Sequence, residues 1–172
     1  MSHYDIEPLK GFDPQIGFLL SGLVDSTREW HEYMEDLPEE AIGWTPVPGS
    51  YNIGCLLLHL IDCEDYWFRQ VIAGETRTKE ETDLLMSDDV DQESHVWPTP
   101  PDKPLSWYFD LHKQVRARAF ECLKGQAPNR WIEHHRDVLT VRWIVAHVLE
   151  HDSYTGGQAV ALSEMWKKAN GK

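Results

Sequence analysis

The chain has 172 residues, enough for one domain with a real core, and 41% hydrophobic with 26% charged residues is a globular composition. A net charge of −13, without a cluster of Lys or Arg, argues against nucleic acid and anionic membrane surfaces as partners. Cys55, Cys63 and Cys122 form no disulfide framework, no stretch approaches the ~18 apolar residues of a membrane span, and the opening "MSHYDIEPLKGFDPQ" has no leader pattern. The expected setting is therefore reducing and cytoplasmic.

Four segments carry helical periodicity, and none carries a strand alternation. The first runs from about Pro14 to Asp36, with Ile16, Leu19, Leu20, Leu23, Thr27, Trp30 and Met34 at three- and four-residue steps. Asp13 before Pro14 is its start signal, and Pro38 with "GWTPVPGS" ends it. The second, "NIGCLLLHLIDCEDYWFRQVIAG", opens at Asn52 as N-cap and closes at Gly74. From Gly74 to Pro104 the chain is polar and acidic, with "WPTPPDKP" near its end. That is too long for a tight turn, so it predicts a crossover or covering loop.

The third helix spans about Leu105 to Leu123, with Ser106 as its cap and Gly125 as its stop. Tyr108, Leu111, Val115, Ala119 and Cys122 form its expected buried side. The fourth starts at the cap Thr140 and continues to about Lys168. Gly156 and Gly157 lie inside it, each costing up to about 1 kcal/mol against alanine, which predicts close packing or a kink. The reading is one all-α domain over 1–172, a four-helix bundle.

The stretch "TVRWIVAHVLEHDSYTGGQ" sets His147 and His151 four residues apart. In a helix they differ by about 40° around the axis and about 6 Å along it, so both imidazoles leave one face. Trp143 and Ile144 precede them on or near that face, which is expected to point inward. The spacing suits one shared metal ion, and it equally suits two core histidines satisfied by hydrogen bonds. The motif is H-V-L-E-H, so the zinc-protease pattern, with glutamate after the first ligand, does not apply. His59 interrupts the apolar run "CLLLHLI", where an unpartnered imidazole would cost free energy. Three inward histidines on two helices point to convergence, because bundles build metal sites from facing helices.

"PGSYNIGCLLLHLIDCEDYWF" and, well downstream, "LTVRWIVAHVLEHDSYTGGQ" resemble the DinB family of small metal-binding four-helix proteins, which is unrelated to the DNA polymerase of that name. The matching elements are Trp44, Pro46 and Pro48, then Ile53 and Gly54, His59, Trp143, His147, His151 and Gly157-Gln158. They cover nearly the whole chain in the family's order. The resemblance implies His59, His147 and His151 as the metal triad, and an up-down-down-up bundle, often dimeric, with the long connection between helices two and three. Asn52 replaces a frequent serine. Tyr154 and Thr155 stand where many members carry further histidines, which weakens any function needing those.

Three neutral imidazoles leave a coordination position open, the pattern of a catalytic rather than a structural site. Zinc or nickel are the expected metals. The resemblance implies a thiol-dependent transferase or isomerase, in which a low-molecular-weight thiol is held as thiolate. The leading expectation is a metal-dependent transferase acting on a small-molecule substrate. The alternatives are a metal-dependent hydrolase, a non-enzymatic small-ligand or metal-binding stress-response protein, and a structural staple between helices two and four.

Cys55, His59 and Cys63 fall at i, i+4 and i+8, so either thiol could share the ligand face, although free cysteines are usually small buried hydrophobes. Asp62 or Glu64 could orient an imidazole, while Glu64 with Asp65 reads as a solvated or helix-pairing face. His134 and His135 are expected at the surface, and His31 and His112 exposed. Trp44, Trp97 and Trp143 are core residues or the wall of a substrate cavity.

Overall fold

The Asp13 side chain accepts a hydrogen bond from the Gln15 N–H (2.9 Å) and Pro14 occupies the first turn, so α1 begins where the sequence puts it, at Pro14–Met34. The computed structural model describes residues 5–90 and 96–171; the first residues of the polar opening and part of the long connection lie outside them. After α1 a short α2 (Glu39–Ile42) follows Pro38. The Asn52 side chain accepts from the Cys55 N–H (2.8 Å) and starts α3 (Ile53–Asp65). The chain then continues without a break as a π-helical segment, Tyr66–Ile72, and stops at Gly74, whose φ of 72° needs a residue without Cβ.

The connection expected to be irregular holds a helix, α4 (Lys79–Leu85), opened by a capping box between Thr78 and Glu81. α5 (Leu105–Glu121) starts after Pro104, and Ser106 is an exposed helical residue rather than its cap. Tyr108, Leu111, Val115 and Ala119 are buried as expected, and Cys122 is half-buried at the helix end.

The structure is mainly helical, as expected, and adds one antiparallel hairpin that was not expected, β1 (Trp131–His134) and β2 (Asp137–Thr140). Half of its strand residues are exposed, and its two-residue turn places His135 at φ 53° where Asn or Gly would be the usual signal. Neither the alternation nor the turn chemistry was therefore visible. Thr140 ends β2, and its hydroxyl accepts from the Trp143 N–H (3.3 Å) to open α6 (Val141–Ala169). α6 continues as one unbroken helix through both glycines. A Cβ on Gly156 would lie 2.3 Å from Trp30 Cδ1, so close packing is the reason for that glycine.

Contacts between α1 and α6 advance together along both helices: Gln15 meets Arg142, Gly22 meets Leu149, and Trp30 meets Asp152 and Gly156. Those between α3 and α6 run oppositely, with His59 against His151 and Trp67 against Trp143. Two apolar clusters fill the interior. One surrounds Trp30, Leu57, Ile61, Tyr108 and Trp166; the other surrounds Ile16, Leu20, Phe68, Ile144 and Val148. Between them lies a polar layer of Thr27, Glu64, His112, Arg116, His151 and Asp152. It holds the candidate site on one side and a network of buried charges on the other.

Candidate functional site

The packing of α3 against α6 sets His59 Nε2 facing His151 Nε2 at 3.0 Å, with ring centroids 4.9 Å apart. His151 is 4% exposed, and its Nδ1 is buried without a hydrogen-bond partner. Burial, reinforced by the neighbouring His59 and His147, pushes the His151 pKa down to about 3. Burial also lowers His59, with Asp62 acting in the opposite direction. Both rings are therefore neutral near pH 7, with one Nε2–H donating to the other Nε2.

His147 lies one turn before His151 and packs on tryptophans instead of on the pair. Its ring is parallel to that of Trp143 (centroids 5.1 Å, 6°) and nearly perpendicular to that of Trp67 (5.3 Å). The structure thus brings His59 and His151 together and sets His147 alongside. Among the described residues no group of three or more His, Cys, Asp or Glu side chains is arranged to hold a metal ion.

Aromatic side chains surround the three rings. Trp67 contacts His134 (5.0 Å) and Trp143 (6.5 Å), Tyr154 contacts His151 (5.0 Å), and the Tyr66 hydroxyl lies 3.4 Å from His134 Nε2. Trp143 was expected to point inward but is 47% exposed. It borders a cavity of about 550 Å³ with Leu19, Trp131, Val138 and Leu139, while Ile144 next to it is fully buried. His134 was expected at the surface; it is half-buried, because the hairpin folds it back against Tyr66 and Trp67. Without the hairpin the sequence carried no signal for that position.

Cys55 and Cys122 bond elsewhere, whereas Cys63 lies beside Trp67 and Tyr154 of the aromatic wall. The Cys55 thiol donates to the Pro98 carbonyl (3.0 Å), and burial pushes its pKa up to about 11. Burial, with Asp62 and Glu64 adding to it, pushes Cys63 up to about 12. Asp62 does not orient an imidazole; it is bound by Arg77 and Ser87. Glu64 and Asp65 are both 1% exposed, so the solvated reading is wrong and the helix-pairing one right for Glu64. It bonds Arg116 (2.6 Å) and His112 (3.2 Å) on α5, and Asp65 bonds Arg69 (3.0 Å) and Arg77 (2.6 Å). His112 is 2% exposed, not solvent-facing, because Glu64 gives its Nε2 a partner. His31 is half-buried and stacks on Phe109 (3.6 Å, 10°). Trp44 and Trp97 pack against the apolar core.

Fold and site together define a mainly helical protein that presents neutral, desolvated imidazoles within an aromatic wall. The mycothiol-S-transferase family model matches residues 19–166, and the chain belongs to that family, which lies within the DinB-like superfamily. Membership points to a thiol-dependent transferase and to a small-molecule substrate. A search of curated proteins finds no match. Among the described residues no helix is long and apolar enough to cross a membrane.

Proposed function

We propose that the chain is a metal-dependent S-transferase that joins the sulfur of a small thiol of the mycothiol type to a small electrophile. A divalent transition ion, zinc or nickel, would be held by His59, His147 and His151. The observation that carries this reading is the pair of neutral Nε2 atoms from two different helices facing each other at 3.0 Å. That donor set fits a cation, since each imidazole is uncharged and the two Nε2 atoms face each other across the helix interface. To join the pair, the His147 ring must turn off the face of Trp143.

A divalent cation at that position supplies the positive charge that keeps a thiol sulfur deprotonated at neutral pH. The chain's own residues do the rest. Trp67, Trp143 and Tyr154 offer apolar surface to the electrophile. The thiol gives up its proton to solvent, its sulfur forms the new S–C bond, and the electrophile's leaving group departs with the displaced electron pair. Asp62 is committed to Arg77 and Cys55 to Pro98, so neither is placed to complete a four-ligand structural site. This favours the reacting site over the helix staple, and the family match favours thiol transfer over hydrolysis or simple binding.

The reading places the site on a single up-down-down-up four-helix domain formed by α1, α3, α5 and α6, and the contact directions of α1 and α3 along α6 support it. It also carries over from the DinB resemblance a homodimer, which sedimentation tests.

The decisive experiment is elemental analysis of the purified protein with and without added zinc or nickel, combined with thioether formation from mycothiol and 1-chloro-2,4-dinitrobenzene. One ion per chain is expected, and His59→Ala, His147→Ala and His151→Ala are each expected to lose both metal and turnover. A His59→Ala protein without metal that turns over as fast as the parent would refute the scheme.

A further inference from the structure

The register of the hairpin gives it two unlike faces. Trp131 lies opposite Thr140 and Glu133 opposite Val138, so these four share one face, and Ile132, His134, Asp137 and Leu139 share the other. The second face turns inward, with Ile132 and Leu139 packed on the apolar core and His134 on Trp67. On the first face Trp131 is 69% and Val138 57% exposed. Together with Trp143 they border the cavity of about 550 Å³ between the hairpin, α1 and α6, and Leu19, Leu139 and Ala146 complete its apolar lining. Large apolar side chains gathered at one concave surface mark a binding groove, whereas the same residues scattered singly need no explanation. These walls are themselves open to solvent, so an incoming molecule can touch them.

The two polar residues of the lining ask nothing of a ligand. The Thr140 hydroxyl accepts from the Trp143 N–H (3.3 Å), and Arg142, exposed, donates from one nitrogen to Gln15 Oε1 (3.2 Å). Recognition here rests on apolar contact, which selects an uncharged hydrocarbon group. Trp143 joins the cavity to the histidines, because its ring is also the one on which His147 stacks. When His147 turns off that ring to join His59 and His151, the covered face becomes free. An apolar surface then leads from the three histidines across Trp143 into the cavity. The cleft that Tyr66 shares with Asp62, Arg77 and Asp88 is charged and offers a hydrocarbon no comparable surface.

We propose that this cavity receives the apolar part of the electrophile, so that the substrates of the transfer are electrophiles carrying an uncharged alkyl or aryl group, an inference that rests on the thiol-transfer reading above. Trp131, Val138 and Trp143 set the preference, and it rises with the length of the hydrocarbon.

The first arm of the test measures kcat/KM for alkylation of mycothiol by 1-iodopropane through 1-iodohexane, each relative to the uncatalysed reaction. In every case the thiol proton goes to solvent, sulfur bonds the terminal carbon, and iodide leaves with the electron pair of the C–I bond. A rise of about twofold per methylene is expected, or about eightfold over the series, below the roughly fourfold per methylene of full burial because the cavity is open. Val138→Lys places a charge in the cavity from an exposed position opposite Glu133, so folding is preserved, and it is expected to flatten the series. Trp131→Ser, also at an exposed position, is expected to do the same. The second arm needs neither metal nor turnover: 1H–15N spectra of the His59→Ala protein are recorded during titration with 1-hexanol and with 1-propanol. Saturating shifts of the Trp131 and Trp143 indole N–H signals are expected, with about eightfold weaker affinity for 1-propanol. A parent without turnover whose indole signals still respond would remove the transfer reading and retain the cavity as an apolar site. Indole signals unmoved by 1-hexanol, or a chain-length preference that survives both variants, would overturn the proposal. So would a dimer that Val138→Lys converts to monomer, since a second copy would then be what covers this face.

Discussion

Gly156 and Gly157 are neighbours on one helix, and the packing assigns opposite consequences to replacing them. A Cβ at Gly156 would sit 2.3 Å from Trp30 Cδ1, 2.6 Å from Cγ and 2.7 Å from Nε1, whereas ordinary carbon contacts are ~3.5–4.0 Å. Trp30 must therefore retreat by roughly 1 Å or more. It has little room to do so, being 4% exposed, with its Nε1 donating to Asp152 at 3.1 Å. Overpacking of this kind costs about 1–3 kcal/mol, and weakening the Trp30–Asp152 bond about 1 kcal/mol more. The better helix propensity of alanine offsets up to about 1 kcal/mol. Gly156→Ala should thus lose roughly 1–3 kcal/mol, or about 3–10 °C in melting temperature for a chain of this size. At Gly157 a Cβ meets nothing within 4 Å, so Gly157→Ala should gain up to about 1 kcal/mol. Urea unfolding followed by far-UV circular dichroism and tryptophan fluorescence measures both. If Gly156→Ala matched Gly157→Ala in stability, Trp30 would not be packed on α6 as described.

Acid should weaken the fold in two stages. His31, lowered to about 3 by burial and by His112 and Arg116, and His112, lowered by burial and Arg116, bind fewer protons folded than unfolded. Stability therefore falls as pH drops below about 6.5, the ordinary histidine value. Glu64, brought to about 2 by Arg116 and His112 against the opposing effect of burial, contributes fully above 4.5 and is lost as pH falls toward 2. At ~1.4 kcal/mol per pH unit that second part is worth roughly 3 kcal/mol, and a melting temperature independent of pH from 7 to 3 would contradict both. Cys55 and Cys63 should resist iodoacetamide at pH 8, because burial holds both thiols protonated, and mass spectrometry should find Cys122 labelled first. Rapid labelling of Cys55 would show its shielding to be wrong. Asp152→Asn keeps the shape but removes a charge that accepts from Ser26, Thr27, Trp30 and Arg116. A loss of about 1–3 kcal/mol is expected in the same urea assay, and an unchanged midpoint would count against the buried network.

The main helices were legible because their signals are local. Asp13, Asn52 and Thr140 each make the cap bond their identity announces, and the three- and four-residue steps of α1 put Ile16, Leu20, Leu23, Trp30 and Met34 inside. The meeting of His59 and His151 was legible for a different reason: an imidazole in an apolar run needs a partner, and two helices offered one each. What stayed hidden depends on partners remote in sequence. His112 reads as an ordinary polar helix position until Glu64, 48 residues earlier, is found beside it. The same holds for Arg116 and Asp152. The hairpin was hidden because its strands are only four residues each, and because a histidine occupies its left-handed turn position.

His151 and Asp152 are consecutive, and on a helix that separates their side chains by about 100°. Asp152 is directed to α1, where Ser26, Thr27 and Trp30 hold it, so His151 is directed to α3 and meets His59. The carboxylate therefore fixes the rotation of α6 about its own axis. Glu64 does the equivalent for α3 by engaging Arg116 and His112 on α5, five residues after His59. A purely apolar layer at this height would tolerate small rotations, because dispersion contacts are non-directional, whereas charge-assisted hydrogen bonds are not. Burying these charges does not require that they add net stability, since a well-packed apolar layer often does as well. What they provide is a defined azimuth for two imidazoles, which any chemistry at their facing nitrogens requires.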